Sequence, residues 1–220
     1  MSFLDKMLGN AGPASQLAPE LRQALAEWQA LPPVDESKAH FLVRHIALDV
    51  ATTGLRPGVD SLKGIAAIGV QQAALGGNDI FVCDPSPEAG AGDATTRQLI
   101  ALLGFVGKAP LVTYHAAFVD AFLRRACSQH LGIDFAPQWI DLAWVLPELF
   151  GQIGSGRVML DDWLRHFAIE LPGRSEALPD AVAIARLLLA AQSEATRRGI
   201  DCPKKLRDIE KNRRWLGRET

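Results

Sequence analysis

A carboxylate that closes a run of buried apolar residues is well placed for chemistry. Asp49 follows Ile46-Ala47-Leu48 and precedes Val50-Ala51 and the segment Thr52-Thr53-Gly54-Leu55. Such a carboxylate, beside a tight turn rich in hydroxyls, suits a hard cation or a loop that meets substrate. The same residues also describe an ordinary strand followed by an ordinary turn, so segments further along the chain have to decide.

Two segments bear on the choice. Val112-Thr113-Tyr114-His115-Ala116-Ala117-Phe118-Val119-Asp120-Ala121-Phe122-Leu123 runs from a strand into a helix, and Ser175-Glu176-Ala177-Leu178-Pro179-Asp180-Ala181 opens a later helix. Together with residues 49–55 they resemble the DEDDh family of 3′→5′ exonucleases, which includes the proofreading epsilon subunit of DNA polymerase III and ribonuclease T. The first motif of that family, Asp-x-Glu-Thr-Thr-Gly-Leu, is met except that Ala51 stands in the Glu slot. The second, Val-x-His-Asn-x-x-Phe-Asp-x-x-Phe-Leu, keeps both Phe residues, with His115 in the Asn slot and Val119 in the Asp slot. The third, His-x-Ala-x-x-Asp-Ala, departs only at Ser175, which replaces the His. Gly64 to Val70 resembles the strand after the first motif. Trp139 to Ala143 resembles a later strand and helix start, where Asp141 reads as an N-cap. The resemblance covers residues 41–195.

The resemblance implies an α/β, ribonuclease-H-like exonuclease fold: an antiparallel three-strand meander followed by parallel strands in one mixed sheet, flanked by helices. It also implies two-metal phosphodiester chemistry, in which Mg²⁺ or Mn²⁺ ions about 3.5–4 Å apart activate water and stabilise the departing oxygen. Carried over residue by residue, Asp49 and Asp180 remain as weak or vestigial metal ligands, while Ala51 and Val119 offer neither charge nor lone pair. Asp120 lies one position past the expected slot, a rotation of about 100° on a helix, so it serves only through a shifted register. Ser175 lacks the near-neutral titration that makes imidazole a base. His115 is the substitute candidate, set against a purely structural histidine. The expected cofactor is Mg²⁺ or Mn²⁺ if any metal is bound, or none.

For binding, the resemblance points to Thr52, Thr53, Gly54 and Leu55 against a single-stranded nucleic-acid end or a nucleotide. Phe118 or Phe122 would shape the floor, with core packing as the alternative role of both. The leading expectation is an exonuclease-like, nucleic-acid-binding protein whose degenerate site is inactive or strongly impaired. An active DEDD-type enzyme with an altered metal site is a second reading. A protein-interaction or regulatory subunit is a third, its partner docking through the N-terminal helix or the basic C-terminal segment.

The elements that must position these residues are legible in the pattern. With 220 residues, 48% hydrophobic and 22% charged, the chain has the balance of a domain with its own core, and a net charge of -2 confines any phosphate-binding surface to a local patch. Leu17, Leu21, Leu25 and Trp28 form a helical stripe opened by Pro19, and residues 31–38 read as a linker. Strands are expected over 41–50, 64–72 and 79–83, with Gly76-Gly77-Asn78 as the hairpin turn. Helices and strands then alternate: a helix over 96–106, a strand over 111–114, a helix over 118–127 and a strand over 139–141. A helix carrying Leu160, Trp163, Leu164 and Phe167 follows, then one from Pro179 at N1 to about Ala195.

Three units are expected: an N-terminal helical extension with its linker (1–40), an exonuclease-like domain (41–196) and a basic C-terminal extension (197–220). The last holds nine basic residues against four acidic ones, and its alternative reading is a solvated helix. Cys83, Cys127 and Cys202 lack the spacing of a disulfide framework or zinc site and read as reduced thiols. No apolar run reaches the length of a membrane span, which points to a cytoplasmic protein with no membrane partner.

Overall fold

A computed structural model describes residues 17–85, 92–151, 153, 158–171 and 176–216. Its framework is one five-stranded sheet in the order β3-β2-β1-β4-β5, built from β1 (His45–Thr52), β2 (Leu62–Gln71), β3 (Ala74–Cys83), β4 (Leu111–Thr113) and β5 (Trp139–Asp141). β1 pairs antiparallel with β2 and parallel with β4, β2 pairs antiparallel with β3, and β4 pairs parallel with β5. The sheet is therefore mixed, a meander followed by parallel strands.

Alternation along β1 sorts its side chains between two cores, because successive residues of a strand point to opposite faces. Ile46, Leu48 and Val50 join a cluster with α1 (Pro19–Ala30), α2 (Gly92–Val106) and α3 (Ala116–Leu131). Ala47, Ala66 and Ile68 face the other way, toward α4 (Leu142–Phe150), α5 (Leu160–His166) and α6 (Ala177–Arg197). The small side chains on that second face let α6 lie close across β1 and β2.

Several boundaries differ from expectation. β1 starts at His45, because residues 40–42 form a short 3-10 turn with Phe41 and Leu42 exposed. The hairpin turns at Gln72-Ala73, both at positive φ, whereas Gly76, Gly77 and Asn78 lie within β3 where the pairing register shifts. Glycine is needed nearby for another reason. A Cβ on Gly69 would sit 1.6 Å from the Asp79 carboxylate, which crosses the β2 backbone there to reach Arg44. Arg44 Nε and Nη2 donate to the two Asp79 oxygens at 2.8 and 2.6 Å, and Nη1 donates to the carbonyl of Phe105. Pro179 is the third residue of α6, not the first; its missing N–H is among those a helix leaves unpaired in its first turn.

Both ends of the described chain pack into the cores. Leu17, Leu21 and Leu25 are buried against α2, and the Trp28 indole donates to the carbonyl of Gly107 at 2.9 Å. The C-terminal segment forms α7 (Pro203–Leu216), whose Leu206 is fully buried. The linker and the C-terminal region also meet directly. The His40 N–H donates to Asp201 and the Lys204 N–H to Glu36, while the Arg207 guanidinium pairs with the Glu36 carboxylate.

Candidate nucleic-acid site

The register of β1 sets the first part of the site. Asp49 lies opposite Ala66 and Ala51 opposite Gly64, so both face the α6 side. A Cβ on Gly64 would meet the Ala51 Cβ at 3.6 Å and the Ala177 Cβ at 4.0 Å. The end of β1 thus abuts the first turn of α6, which carries Asp180. Asp49 and Asp180, both half-buried, belong to the same end of the same face, with the methyl of Ala51 where the family motif places a carboxylate.

Beyond Thr52 the chain makes a closed loop. The Thr52 hydroxyl donates to the carbonyl of Gly54 at 2.8 Å. The Thr53 N–H donates to Ser61, whose own N–H returns to the Thr53 hydroxyl at 3.0 Å. The Asp60 carboxylate accepts from the Arg56 N–H at 2.8 Å and fills the space over Gly54, where a Cβ would lie 2.6 Å from it. Arg125 on α3 clamps the loop by donating to the carbonyls of Pro57 and Asp60. The result is a fixed loop that presents Leu55 at 81% exposure and Val59 at 67%.

The second segment is organised by Asp141, 2% exposed at the end of β5. One carboxylate oxygen accepts from the His115 N–H at 2.9 Å and the Ala143 N–H at 3.1 Å. The other accepts from the Ala116 N–H and from Arg214, both at 2.9 Å. Asp141 therefore caps α4, as expected from sequence, and also caps α3. His115, at φ 64°, makes the sharp entry into α3, and its ring meets Tyr114 edge-on with centroids 4.7 Å apart. The Tyr114 hydroxyl donates to the carbonyl of Val158.

The other residues of this segment point elsewhere. Val119 is 1% exposed and packs in the α1-α2-α3 cluster, on the sheet face opposite Ala51. Asp120 is engaged structurally, accepting from the Trp139 indole at 2.7 Å and pairing with Arg124 at 3.3 Å. Phe122 is buried and Phe118 half-buried, their rings 5.0 Å apart in the same cluster. Ser175 lies outside the described residues.

α7 completes the arrangement. The Asp141 N–H donates to the buried Glu210 carboxylate at 3.0 Å, Glu210 pairs with Arg214, and the Arg214 guanidinium lies 5.7 Å from the Trp144 ring centroid. Burial raises the Glu210 pKa above the usual carboxylate range, opposed by the Asp141 N–H and Arg214. Other cations of the C-terminal segment are paired within the chain: Arg213 with Glu148, Lys205 with Asp201, and Arg197 and Arg198 with Glu194. Sequence patterning identifies Asp141 as a helix cap, but nothing local in the sequence links it to Glu210 and Arg214, which fold back from the far end of the chain.

Among the described residues no group of three or more His, Cys, Asp or Glu side chains is arranged to hold a metal ion. With Ala51 and Val119 apolar, the donor set does not fit a two-metal centre, whose paired hard cations need several oxygen ligands. Burial pushes the Cys83 and Cys127 thiols up to about 12. No described helix is long and apolar enough to cross a membrane.

No family model and no curated protein matches the sequence. Solved structures do. The fold is similar to that of Escherichia coli exonuclease I in complex with a dT13 oligonucleotide, with a TM-score of 0.54 at 16% identity. A further exonuclease I structure gives 0.57 at 16%, and a zinc-bound E. coli exonuclease I–single-stranded DNA complex gives 0.53 at 17%. Each comparison covers 70% of this chain and 42% of the other, so the chain spans about two fifths of the proteins it matches. At this identity the likeness is one of fold, a ribonuclease-H-like exonuclease fold.

Proposed function

We propose that this chain is a degenerate DEDDh-like 3′→5′ exonuclease that binds a single-stranded nucleic-acid end or a nucleotide and has lost, or nearly lost, two-metal cleavage. The observation that carries the proposal is the pair of apolar side chains at the motif slots, Ala51 against the start of α6 and Val119 inside the core. The fold and the three motifs in order support an exonuclease ancestry.

In this reading the loop after β1 does the binding. Thr52 and Thr53 hold its shape, Gly54 lets Asp60 brace it, and Leu55 presents an apolar surface on which a terminal base can pack. Asp49 and Asp180 would hold at most one Mg²⁺ or Mn²⁺ with its remaining waters. Losing two motif carboxylates also relieves like-charge repulsion, so the fold keeps its stability without metal.

The test is incubation of the protein with 3′-labelled single-stranded DNA and RNA in Mg²⁺ or Mn²⁺, alongside Asp49→Asn and Leu55→Ala variants. Binding without cleavage, weakened in Leu55→Ala, is expected. Cleavage abolished by Asp49→Asn would instead establish an active enzyme with an altered metal site. Absence of both would favour a protein-interaction or regulatory subunit, a reading supported by the internal pairing of the α7 cations.

A further inference from the structure

A groove of about 620 Å³ opens at the amino ends of β4 and β5, the opposite end of these strands from Asp141 and the candidate site. Its volume falls within the range of about 300–1,000 Å³ typical of small-ligand sites. The walls come from the end of α1, residues 31–36, the end of α2 and the loop from α3 to β5. Trp28, Leu31 and Val34 supply an apolar strip among the polar Gln29, Glu36 and Gln138; Leu31 and Val34 are 43% and 37% exposed, and Phe135 backs the strip from the core at 2% exposed.

The charges in the groove are unevenly matched. Its two carboxylates are already engaged, Glu36 by Arg207 and Asp134 by Arg124 at 2.6 Å. The Lys108 ammonium instead lies 3.5 Å from the centroid of the Trp28 ring, and no carboxylate among the described residues pairs with it. Burial lowers its pKa from the ordinary lysine value, the direction expected of an ammonium partly removed from water without an ion partner. The carboxyl end of α2, closed by Gly107 at φ 55°, supplies a partial counter-charge of only about half an elementary unit.

We propose that this groove is a binding site for a small amphipathic organic anion, its apolar body packed on Trp28, Leu31 and Val34 and its acid group paired with Lys108. The anion supplies the missing counter-charge, and the body covers apolar surface now facing water. The site is separate from the nucleic-acid surface proposed above and does not depend on it.

Anilinonaphthalene sulfonate is a suitable probe, since it joins a planar apolar body to one permanent anion and fluoresces when removed from water. Saturable binding of one probe per folded chain is expected, weakened about tenfold, or ~1.4 kcal/mol, in Lys108→Met. The uncharged N-phenylnaphthylamine should bind wild type and Lys108→Met alike, and Val34→Asp should weaken both probes. Circular dichroism and Tm of each variant verify that the fold is retained. Sulfonate binding unchanged by Lys108→Met, no change in Val34→Asp, or no saturable binding to wild type would overturn the proposal.

Discussion

Replacing Asp141 by Ala should cost this protein about 4 kcal/mol. Its oxygens cap two helices, taking the His115 and Ala116 N–H groups of α3 and the Ala143 N–H of α4; each lost cap costs ~1 kcal/mol. The same group holds Arg214 at 2.9 Å while itself almost fully buried, and a hydrogen bond to a charged group contributes ~1.5–3 kcal/mol. The sum is a large fraction of the ~5–15 kcal/mol available to a folded domain. Urea unfolding of wild type, Asp141→Ala, Arg214→Met and the double variant provides the assay. The cycle should show a coupling of at least ~1 kcal/mol, because residues sharing an ion pair are not additive. Amide exchange should quicken at His115 and Ala116 in Asp141→Ala. A loss below ~1 kcal/mol, or additivity within ~0.5 kcal/mol, would refute the claim that this carboxylate ties α7 to the amino ends of α3 and α4.

Three further outcomes are expected. Burial, together with the neighbouring His40, lowers the His45 pKa from 6.5 to about 4. The folded state therefore binds fewer protons than the unfolded chain, and stability present above about pH 6.5 is lost as pH falls toward 4. At 1.36 kcal/mol per unit this loss amounts to about 3 kcal/mol; urea unfolding across that range should show it for wild type and a smaller loss for His45→Gln, in which His40, also held low by burial, still titrates. Gly69→Ala must displace the Asp79 carboxylate and break its pairing with Arg44, at a cost of ~1–3 kcal/mol; the cost should shrink when Asp79→Ala is already present. Val119→Asp, which places a carboxylate at the slot where the DEDDh motif carries one, should destabilise by about 3 kcal/mol or more, since it buries a charge among apolar side chains; thermal unfolding would reveal it.

Much of the fold was readable because the information is local. Ile46-Ala47-Leu48 and Leu111-Val112 are short apolar runs flanked by turns, and Asp141 stands where a helix must be capped. The glycines at 76 and 77 suggest a turn, whereas the chain turns earlier, at Gln72-Ala73, and Gly76 instead serves a close approach within β3, where a Cβ would lie 2.6 Å from that of Asp79. In the candidate site, Asp49, Ala51 and the loop after them follow from motif and register together. The Asp120–Arg124 pair is a local i,i+4 spacing, but that Asp120 also takes the Trp139 indole, and that α7 closes over Asp141, depend on contacts between distant parts of the chain that no local pattern encodes. The groove beside Lys108 was hidden for the same reason, since its walls come from three separate segments of the chain.

The internal pairing of the C-terminal cations has a consequence for how any oligonucleotide would be held. Affinity for a polyanion usually comes largely from expelling the ions condensed along its backbone, and each phosphate neutralised adds to the steepness of the salt dependence. Arg197, Arg198, Lys205, Arg207, Arg213 and Arg214 already have carboxylate partners, so few of them can take part in that exchange without first giving up an intramolecular one. Binding at the loop after β1 should then depend less steeply on ionic strength than the number of basic residues in this segment suggests.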